Sequence, residues 1–212
     1  ILVVSMLAVF DPAIGPLVPV LVSYWLNIHV TIITASYAFF GLAFLLGVMS
    51  MVMILQRSFS KSEERQETVS FALRVLDKIN FWILISGIGM LSIGTLLGGV
   101  WANESWGRYW GWDPKETWSL ITILAASVGL HFRYIKGLRN MWLNAWWNWI
   151  VIDSVLMTYF GVNYFLVGLH SYGAGDANGV PIWVHVFNLA MLILVIVSGV
   201  LYSNYKGPKQ VE

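Results

Sequence analysis

The sequence predicts an all-α membrane protein, a polytopic transmembrane helical bundle with an external tryptophan-rich segment. Of its 212 residues, 58% are hydrophobic and only 11% are charged, whereas soluble domains carry about a quarter charged residues. Several apolar stretches are long enough to cross a hydrocarbon layer of about 30 Å. Membrane lipid is therefore the expected surrounding, and a net charge of +1 gives no indication of a nucleic-acid partner.

Residues 1–29 are predicted to form a truncated span followed by a segment on the external surface. Ile1–Phe10 is apolar but too short to cross a bilayer. Asp11-Pro12 and Gly15-Pro16 then interrupt the helix, since proline lacks a backbone donor and restricts the residue before it. The short first span predicts that the chain is a fragment of a longer polypeptide or one chain of a split protein.

Residues 30–212 are predicted to form one transmembrane domain, because apolar segments and polar connections alternate along it. Gly94-x-x-x-Gly98 allows a close approach to a neighbouring helix. Four tryptophans fit an ordinary interfacial belt: Trp142, Trp146, Trp147 and Trp149. The full spans are expected at Val30–Leu55, Ile79–Val100, Trp118–Phe132, Trp146–Val167 and Ile182–Tyr202, with polar connections at Gln56–Lys78, Arg133–Arg139 and Gly168–Pro181.

The distribution of basic residues predicts the orientation of the bundle. The Gln56–Lys78 connection, the Arg133–Arg139 turn and the C-terminal tail hold ten of the twelve lysines and arginines. Because short loops on the cytoplasmic side carry an excess of lysine and arginine, these segments are expected inside and the tryptophan-rich segment outside. His29 and His170 are then expected on the same outer side.

The most informative stretch is Val100–Leu120, which contains five tryptophans. Indole rings favour the headgroup region of a bilayer, but a belt needs only one or two rings at each helix end. The excess predicts an aromatic platform for a large, flat, apolar ligand. The tryptophans of this platform are Trp101, Trp106, Trp110, Trp112 and Trp118.

Asp113-Pro114-Lys115-Glu116, within the same stretch, is a signature of a helix N-terminus. It has an acid at the N-cap, proline at the first helical position and glutamate at the third. We expect Asp113 to accept a backbone N–H there and so to fix the angle at which the tryptophans are presented. The helix N-terminus and the basic side chains beside it would also accept a carboxylate ligand.

Two of the four histidines are placed to act as a pair of ligands. His29 precedes one predicted span and His170 follows another, so both can converge at the outer face. Two neutral imidazoles that face each other across a flat macrocycle form a bis-histidine haem site. The alternative for each is a hydrogen-bonded structural histidine, the commoner role of histidine within a membrane protein.

The other two histidines differ from this pair. His131 lies 17 residues after Pro114, which on a continuous helix is about 25 Å below the external surface. An ionisable group at that depth is a functional candidate, while a plain interfacial histidine at the cytoplasmic helix end is an equally open interpretation. His185 lies in the first turn of the last helix and is interpreted as structural or as a support for the site.

The stretch WGRYWGWDPKETW resembles the tryptophan-rich WWD signature of haem-handling proteins. It is most similar to the CcsA/ResC type of bacterial and plastid cytochrome c biogenesis, System II, which includes the fused CcsBA synthetases. WLNIHVTIITASY, VGLHSYG and SVGLHFR are similar to the histidine segments of that family, so the resemblance covers about Ser23 to Tyr202. By this resemblance the chain is the C-terminal CcsA portion, with residues 30–212 as its haem-handling domain.

The resemblance implies residue roles and a reaction. His29 and His170 would be axial ligands of haem b held against the WWD tryptophans and Asp113, and His131 would ligate haem at a second position within the membrane. The reaction implied is holocytochrome c synthesis, in which two cysteine thiols of a CxxCH motif in apocytochrome c form thioethers with the haem vinyl groups. The chain contains no cysteine, so both thiols would come from apocytochrome c.

The resemblance also implies a partner and a location. A CcsB/ResB-like portion or subunit would supply the other ligand of the intramembrane haem, for which this chain has no position. The expected location is the bacterial inner membrane with the WWD segment on the periplasmic side, or the thylakoid membrane for a plastid homologue.

Three other functions are compatible with the same residues. The protein would be a haem exporter or chaperone if another subunit performed the ligation. It would be a bis-histidine electron carrier if the paired histidines served only redox chemistry, although carriers of this kind usually place their histidines within the bilayer. If the tryptophans only anchored the protein at the interface, it would bind no cofactor at all.

Overall fold

The computed structural model describes residues 23–166, 168–170 and 182–203, and these residues form helices and no strand. The predicted all-α membrane class is confirmed. The elements are α1 (Tyr24–Phe59), α2 (Glu63–Trp106), α3 (Pro114–His131) with a 3-10 turn (Phe132–Tyr134), α4 (Met141–Leu156), a π-helix (Met157–Gly161), α5 (Val162–Phe165) and α6 (Ile182–Ser203). The predicted first span, its proline breaks, most of the Gly168–Pro181 loop and the tail lysines lie outside the described residues.

Three of the described helices, α1, α2 and α6, are long and apolar enough to cross a membrane. The other two predicted spans are shorter as regular helices: α3 has 18 residues, and α4 has 16 before the π-helix continues its path. A straight span needs about 20 residues.

The long helices begin and end at positions that differ from the predicted ones. α1 begins at Tyr24, so His29 belongs to the same continuous helix as the span that follows it. Most of the predicted polar connection before Lys78 is helical, because α2 begins at Glu63, where the side chain of Ser62 caps the first turn. Glutamate, arginine and leucine, which fill this region, are good helix formers.

Helix α2 also extends into the tryptophan-rich stretch. It ends at Trp106, where Gly107 adopts a left-handed conformation with φ 73°, a common C-terminal stop. Trp101 and Trp106 are therefore helical residues, while Trp110 and Trp112 lie in the connection to α3. The five tryptophans are distributed over two helices and a loop rather than along one loop.

The close packing predicted for Gly94 and Gly98 is confirmed, and the partner is α1. A Cβ atom at Gly94 would lie 2.7 Å from Cδ1 of Ile33, and one at Gly98 would lie 2.6 Å from Cε1 of His29. The two glycines and the two side chains have the same four-residue spacing, so each side chain fills one gap. The helices therefore meet with His29 inside their interface.

Helix α4 is held by its tryptophans, which were predicted to form an interfacial belt. Trp147 Nε1 donates to the carbonyl of Ala125 on α3 at 2.7 Å, and Trp149 Nε1 donates to Oδ1 of Asn188 on α6 at 3.2 Å. Trp142 Nε1 likewise donates to Ser198 Oγ at 3.0 Å. The N–H groups of these indoles donate hydrogen bonds to neighbouring helices, whereas those of an interfacial belt face water and lipid headgroups.

We expect Gly47→Ala to destabilise the bundle and Gly41→Ala to leave it intact. A Cβ at Gly47 would overlap the backbone carbonyl of Ala145, which has no side-chain freedom to move, whereas Gly41 has open space around it. Overpacking costs about 1–3 kcal/mol, while alanine is a better helix former than glycine by about 0.8–1 kcal/mol. Thermal unfolding followed by circular dichroism would compare the pair, and equal Tm values would contradict the packing described here.

Candidate functional site

The tryptophan-rich end of the bundle is organised by the N-terminus of α3. Asp113 is the N-cap, and its Oδ2 accepts the backbone N–H of Lys115 at 3.3 Å. Glu116 Oε2 in turn accepts the N–H groups of Asp113 at 3.1 Å and Gly111 at 2.8 Å. The predicted capping box is therefore confirmed, and it fixes the loop that carries Trp110 and Trp112 to the start of α3.

The same carboxylate holds a residue from a distant part of the chain. Oδ2 of Asp113 accepts a hydrogen bond from Nδ1 of His170 at 2.8 Å, and Oδ1 accepts the backbone N–H of Leu169 at 2.6 Å. Lys115 Nζ donates to the carbonyl of His170 at 3.1 Å. A side chain at Gly168 would overlap Asp113, so the turn 168–170 fits against this N-cap only with glycine at that position.

His29 is held by the backbone of α2 on the opposite side of the site. Its Nδ1 lies 2.7 Å from the carbonyl oxygen of Gly94, so this nitrogen carries the proton and donates. Its ring lies over Gly98, where any side chain would displace it. The orientation of the imidazole is therefore set by one hydrogen bond and by the shape of the α1–α2 interface.

Trp101 brings the two histidines together. Its ring stacks nearly parallel to that of His29, with 6.3 Å between centroids and 9° between planes, and lies 5.5 Å from the ring of His170. Trp106 packs edge-on against Trp101 and His170, at 4.8 Å from each. Trp101 is 1% exposed, so it is a buried wedge behind the imidazoles and not the exposed face of a platform.

A cavity of about 190 Å³ opens beside these rings. Both imidazoles line it, and most of its wall is apolar, with a few hydroxyl groups and Lys115 among the polar atoms. The lining residues that matter here are His29, His170, Trp101, Trp110, Tyr37 and Thr158. Because Tyr37 is two helical turns beyond His29 on α1, the cavity extends about 12 Å into the bundle.

The remaining predicted tryptophans lie around this cavity and not within its wall. Trp112 is 67% exposed, adopts φ 58° and meets Trp110 edge-on at 5.6 Å. Trp118 lies on α3 and does not line the cavity. Positive φ in a bulky residue costs of order 1–3 kcal/mol and is concentrated at functional sites.

The other two histidines are not brought to this site. His131 is the last residue of α3, exposed at the end opposite Asp113, with its Nδ1 2.7 Å from the carbonyl of Ser127. Its ring meets that of Tyr134 at 6.4 Å between centroids. His185 is exposed on α6 and does not line the cavity.

The electrostatics favour a neutral imidazole at His170. Burial lowers the pKa of His170 below its usual value of 6.5, and the hydrogen bond and charge of Asp113 oppose this shift without reversing it. At neutral pH the ring therefore keeps its Nδ1 proton for Asp113 and presents the lone pair of Nε2. A carboxylate–histidine pair of this kind fixes the tautomer and orientation of a metal-binding imidazole.

This donor set suits a metal that brings most of its own ligands. In the part of the chain that the structure describes, no three histidine, cysteine or acidic side chains cluster closely enough to hold a metal ion. Two imidazoles beside a largely apolar, aromatic cavity are instead a donor set that would suit an iron porphyrin, which supplies four ligands of its own. The residues fit haem better than a free ion.

Two features of the site were missed by the sequence analysis. The contact between Asp113 and His170 joins residues 57 positions apart, and no local pattern indicates it. Gly98 was predicted only to allow close helix packing, because the sequence does not show which side chain packs against it. Ile33 and His29 have the same four-residue spacing as Gly94 and Gly98, and this match could have indicated that the two pairs pack together.

Comparisons with known proteins identify the family to which the chain is related. Residues 1–170 match the family model described as cytochrome C assembly protein. Over 78% of its length the chain is 47% identical to protein NrfI of Wolinella succinogenes, of which it covers 18%. Over 75% of its length it is 39% identical to the cytochrome c biogenesis protein CcsA of Guillardia theta and of Chlamydomonas reinhardtii, covering 57% and 43% of them. The chain thus spans less than two thirds of these relatives.

We expect Asp113→Asn to lower the pKa of His170 further, because the carboxylate is what favours the imidazolium. Titration of labelled histidine followed by NMR in detergent would show a midpoint below 6.5 in the parent protein and a lower one in the variant. Glu104→Gln, which removes an exposed carboxylate of the same stretch, is the matched control. A higher midpoint in Asp113→Asn than in the parent would contradict the arrangement.

Proposed function

The chain belongs to the cytochrome C assembly protein family, and we propose that it binds haem between His29 and His170 at the outer face and presents it for attachment to apocytochrome c. The observation that carries this proposal is the pair of imidazoles beside one cavity, each with its Nδ1 bound to an acceptor. Gly94 and Asp113 supply those acceptors. Nε2 of each ring would then be the atom that holds the iron.

Haem is the substrate of the proposed reaction, and the role of the chain is to bind and orient it. Trp101 and Trp110 give the cavity an aromatic wall for the macrocycle, and Lys115 is a cation at its edge for a haem carboxylate. The binding energy fixes the orientation of the vinyl groups toward the incoming peptide, which converts a bimolecular reaction into an effectively intramolecular one.

The thiols for the covalent step come from the protein substrate. With no cysteine of its own, the chain leaves both thiols to the CxxCH motif of apocytochrome c. Each sulfur adds to one vinyl group, the thiol proton ends on the other vinyl carbon, and a thioether forms without a leaving group. The histidine of the motif would then take the place of His29 or His170 as a ligand.

We further propose that His131 receives haem before it reaches the outer site. Support comes from its exposed position at the opposite end of α3 from the outer site. A second ligand for this haem would come from a CcsB/ResB-like portion or subunit. Haem export across the membrane and thioether formation would then be successive steps of one holocytochrome c synthetase.

We expect His29→Ala and His170→Ala each to lose the low-spin haem spectrum of the purified protein, because each removes one axial ligand. Reduced absorption spectra would be recorded for the complete polypeptide that contains this chain, with and without added imidazole. His185→Ala, which removes an exposed histidine outside the cavity, is the control and keeps the parent spectrum. Retention of that spectrum in His170→Ala without imidazole would remove His170 from the proposed ligand pair.

We expect the purified complete polypeptide to attach haem covalently to an apocytochrome c that carries CxxCH, but not to one that carries SxxSH. Haem that stays on the cytochrome after denaturation, detected by mass spectrometry, is the measure of attachment. If haem binds at the outer site and no thioether forms, the protein is an exporter or chaperone, and the synthetase proposal fails while the haem site stands.

A further inference from the structure

A second cavity, the inner cavity, lies at the other end of α3 from Asp113. It is formed where the 3-10 turn after α3, the start of α4 and the first half of α2 meet, and its volume is about 480 Å³. Its wall differs from that of the outer cavity in being strongly cationic. The residues relevant here are Arg74, Asp77, Phe81, Arg133, Arg139 and Asn144.

One guanidinium of the inner cavity is structural. Nη2 of Arg133 contacts Oδ2 of Asp77 at 2.9 Å and donates to the carbonyl oxygen of Asp77 at 2.6 Å. The same guanidinium lies over the ring of Phe81, at 4.6 Å from its centroid. Asn144 Nδ2 donates to the other carboxylate oxygen of Asp77 at 2.9 Å. Both oxygens of this acid are therefore already used within the fold.

Two cations of the cavity are not used within the fold in this way. Arg74 and Arg139 form no ion pair with any residue that the structure describes, although both line the cavity. Both side chains are exposed, so their charges are available to a ligand that enters the cavity. The cavity therefore favours a ligand with an anionic group.

The surface beside the inner cavity indicates where such a ligand comes from. Tyr134, Ile135 and Leu138, in the turn that borders it, are 75%, 48% and 38% exposed. Apolar side chains beside arginines are typical of the boundary between headgroups and acyl chains. The cavity also lies at the basic end of the bundle, and the cytoplasmic leaflet, where basic segments face, is the one rich in anionic lipid.

We propose that the inner cavity is a binding site for an anionic phospholipid such as phosphatidylglycerol. The phosphate pairs with Arg74 and Arg139. The acyl chains lie along the exposed apolar residues of the turn. Arg133 and Asp77 shape the cavity without contacting the phosphate. This site is independent of the outer imidazoles.

The test compares lipid retention by the complete polypeptide. The protein is purified from bilayers of equal phosphatidylglycerol and phosphatidylcholine, and retained lipid is counted by native mass spectrometry. The parent protein is expected to be enriched in phosphatidylglycerol. Arg74→Gln/Arg139→Gln loses this enrichment by roughly fivefold for each arginine. Lys61→Gln/Lys136→Gln removes two exposed cations outside the cavity and keeps it.

Further outcomes of the same lipid-retention experiment identify the ligand. Equal loss in the cavity variant and the lysine control would overturn the proposal in favour of diffuse surface charge. Displacement of the lipid by soluble glycerol phosphate at low concentration would overturn the lipid source. Loss of bound haem with lipid retained in Arg74→Gln/Arg139→Gln would instead assign the arginines to a haem carboxylate.

Discussion

The carboxylate of Asp113 is the group on which the tryptophan-rich end of this protein depends. It is 6% exposed, and a buried carboxylate is stable only when its oxygens are bound. Here they accept hydrogen bonds from the first turn of α3, from the backbone at Leu169 and from the ring of His170. One side chain therefore caps the start of a helix, binds a distant turn and sets the tautomer of a candidate ligand. Loss of this carboxylate would disturb all three features at once.

The second constraint is the absence of side chains along one stripe of α2. Because Gly94 and Gly98 leave gaps, α1 approaches closely enough for the imidazole of His29 to reach a backbone carbonyl of α2. A backbone carbonyl within a helix usually accepts only the N–H group of the residue four positions later, and the carbonyl of Gly94 accepts the ring N–H of His29 as well. The position of His29 is thus a property of helix packing as much as of hydrogen bonding.

The local features of the site could be predicted from the sequence, and the tertiary ones could not. The capping box at Asp113 and the close packing at Gly94 and Gly98 depend on a few adjacent residues, and both were predicted correctly. The burial of Trp101 depends on how far α2 continues and on which of its faces meets the histidines. The residue that Asp113 binds depends on how the whole bundle packs. The haem-ligand roles of His29 and His170 stay a prediction.

The two imidazoles are held by different kinds of restraint, and this makes them unequal partners in an exchange. His29 projects from the interior of a long helix and is wedged by shape against Gly98, so moving it means separating two helices. His170 sits in a turn and is held by hydrogen bonds to Asp113 and Lys115, which water can replace. If the iron traded one imidazole for another, His170 would be the leaving ligand and His29 the anchor, giving haem transfer a fixed direction.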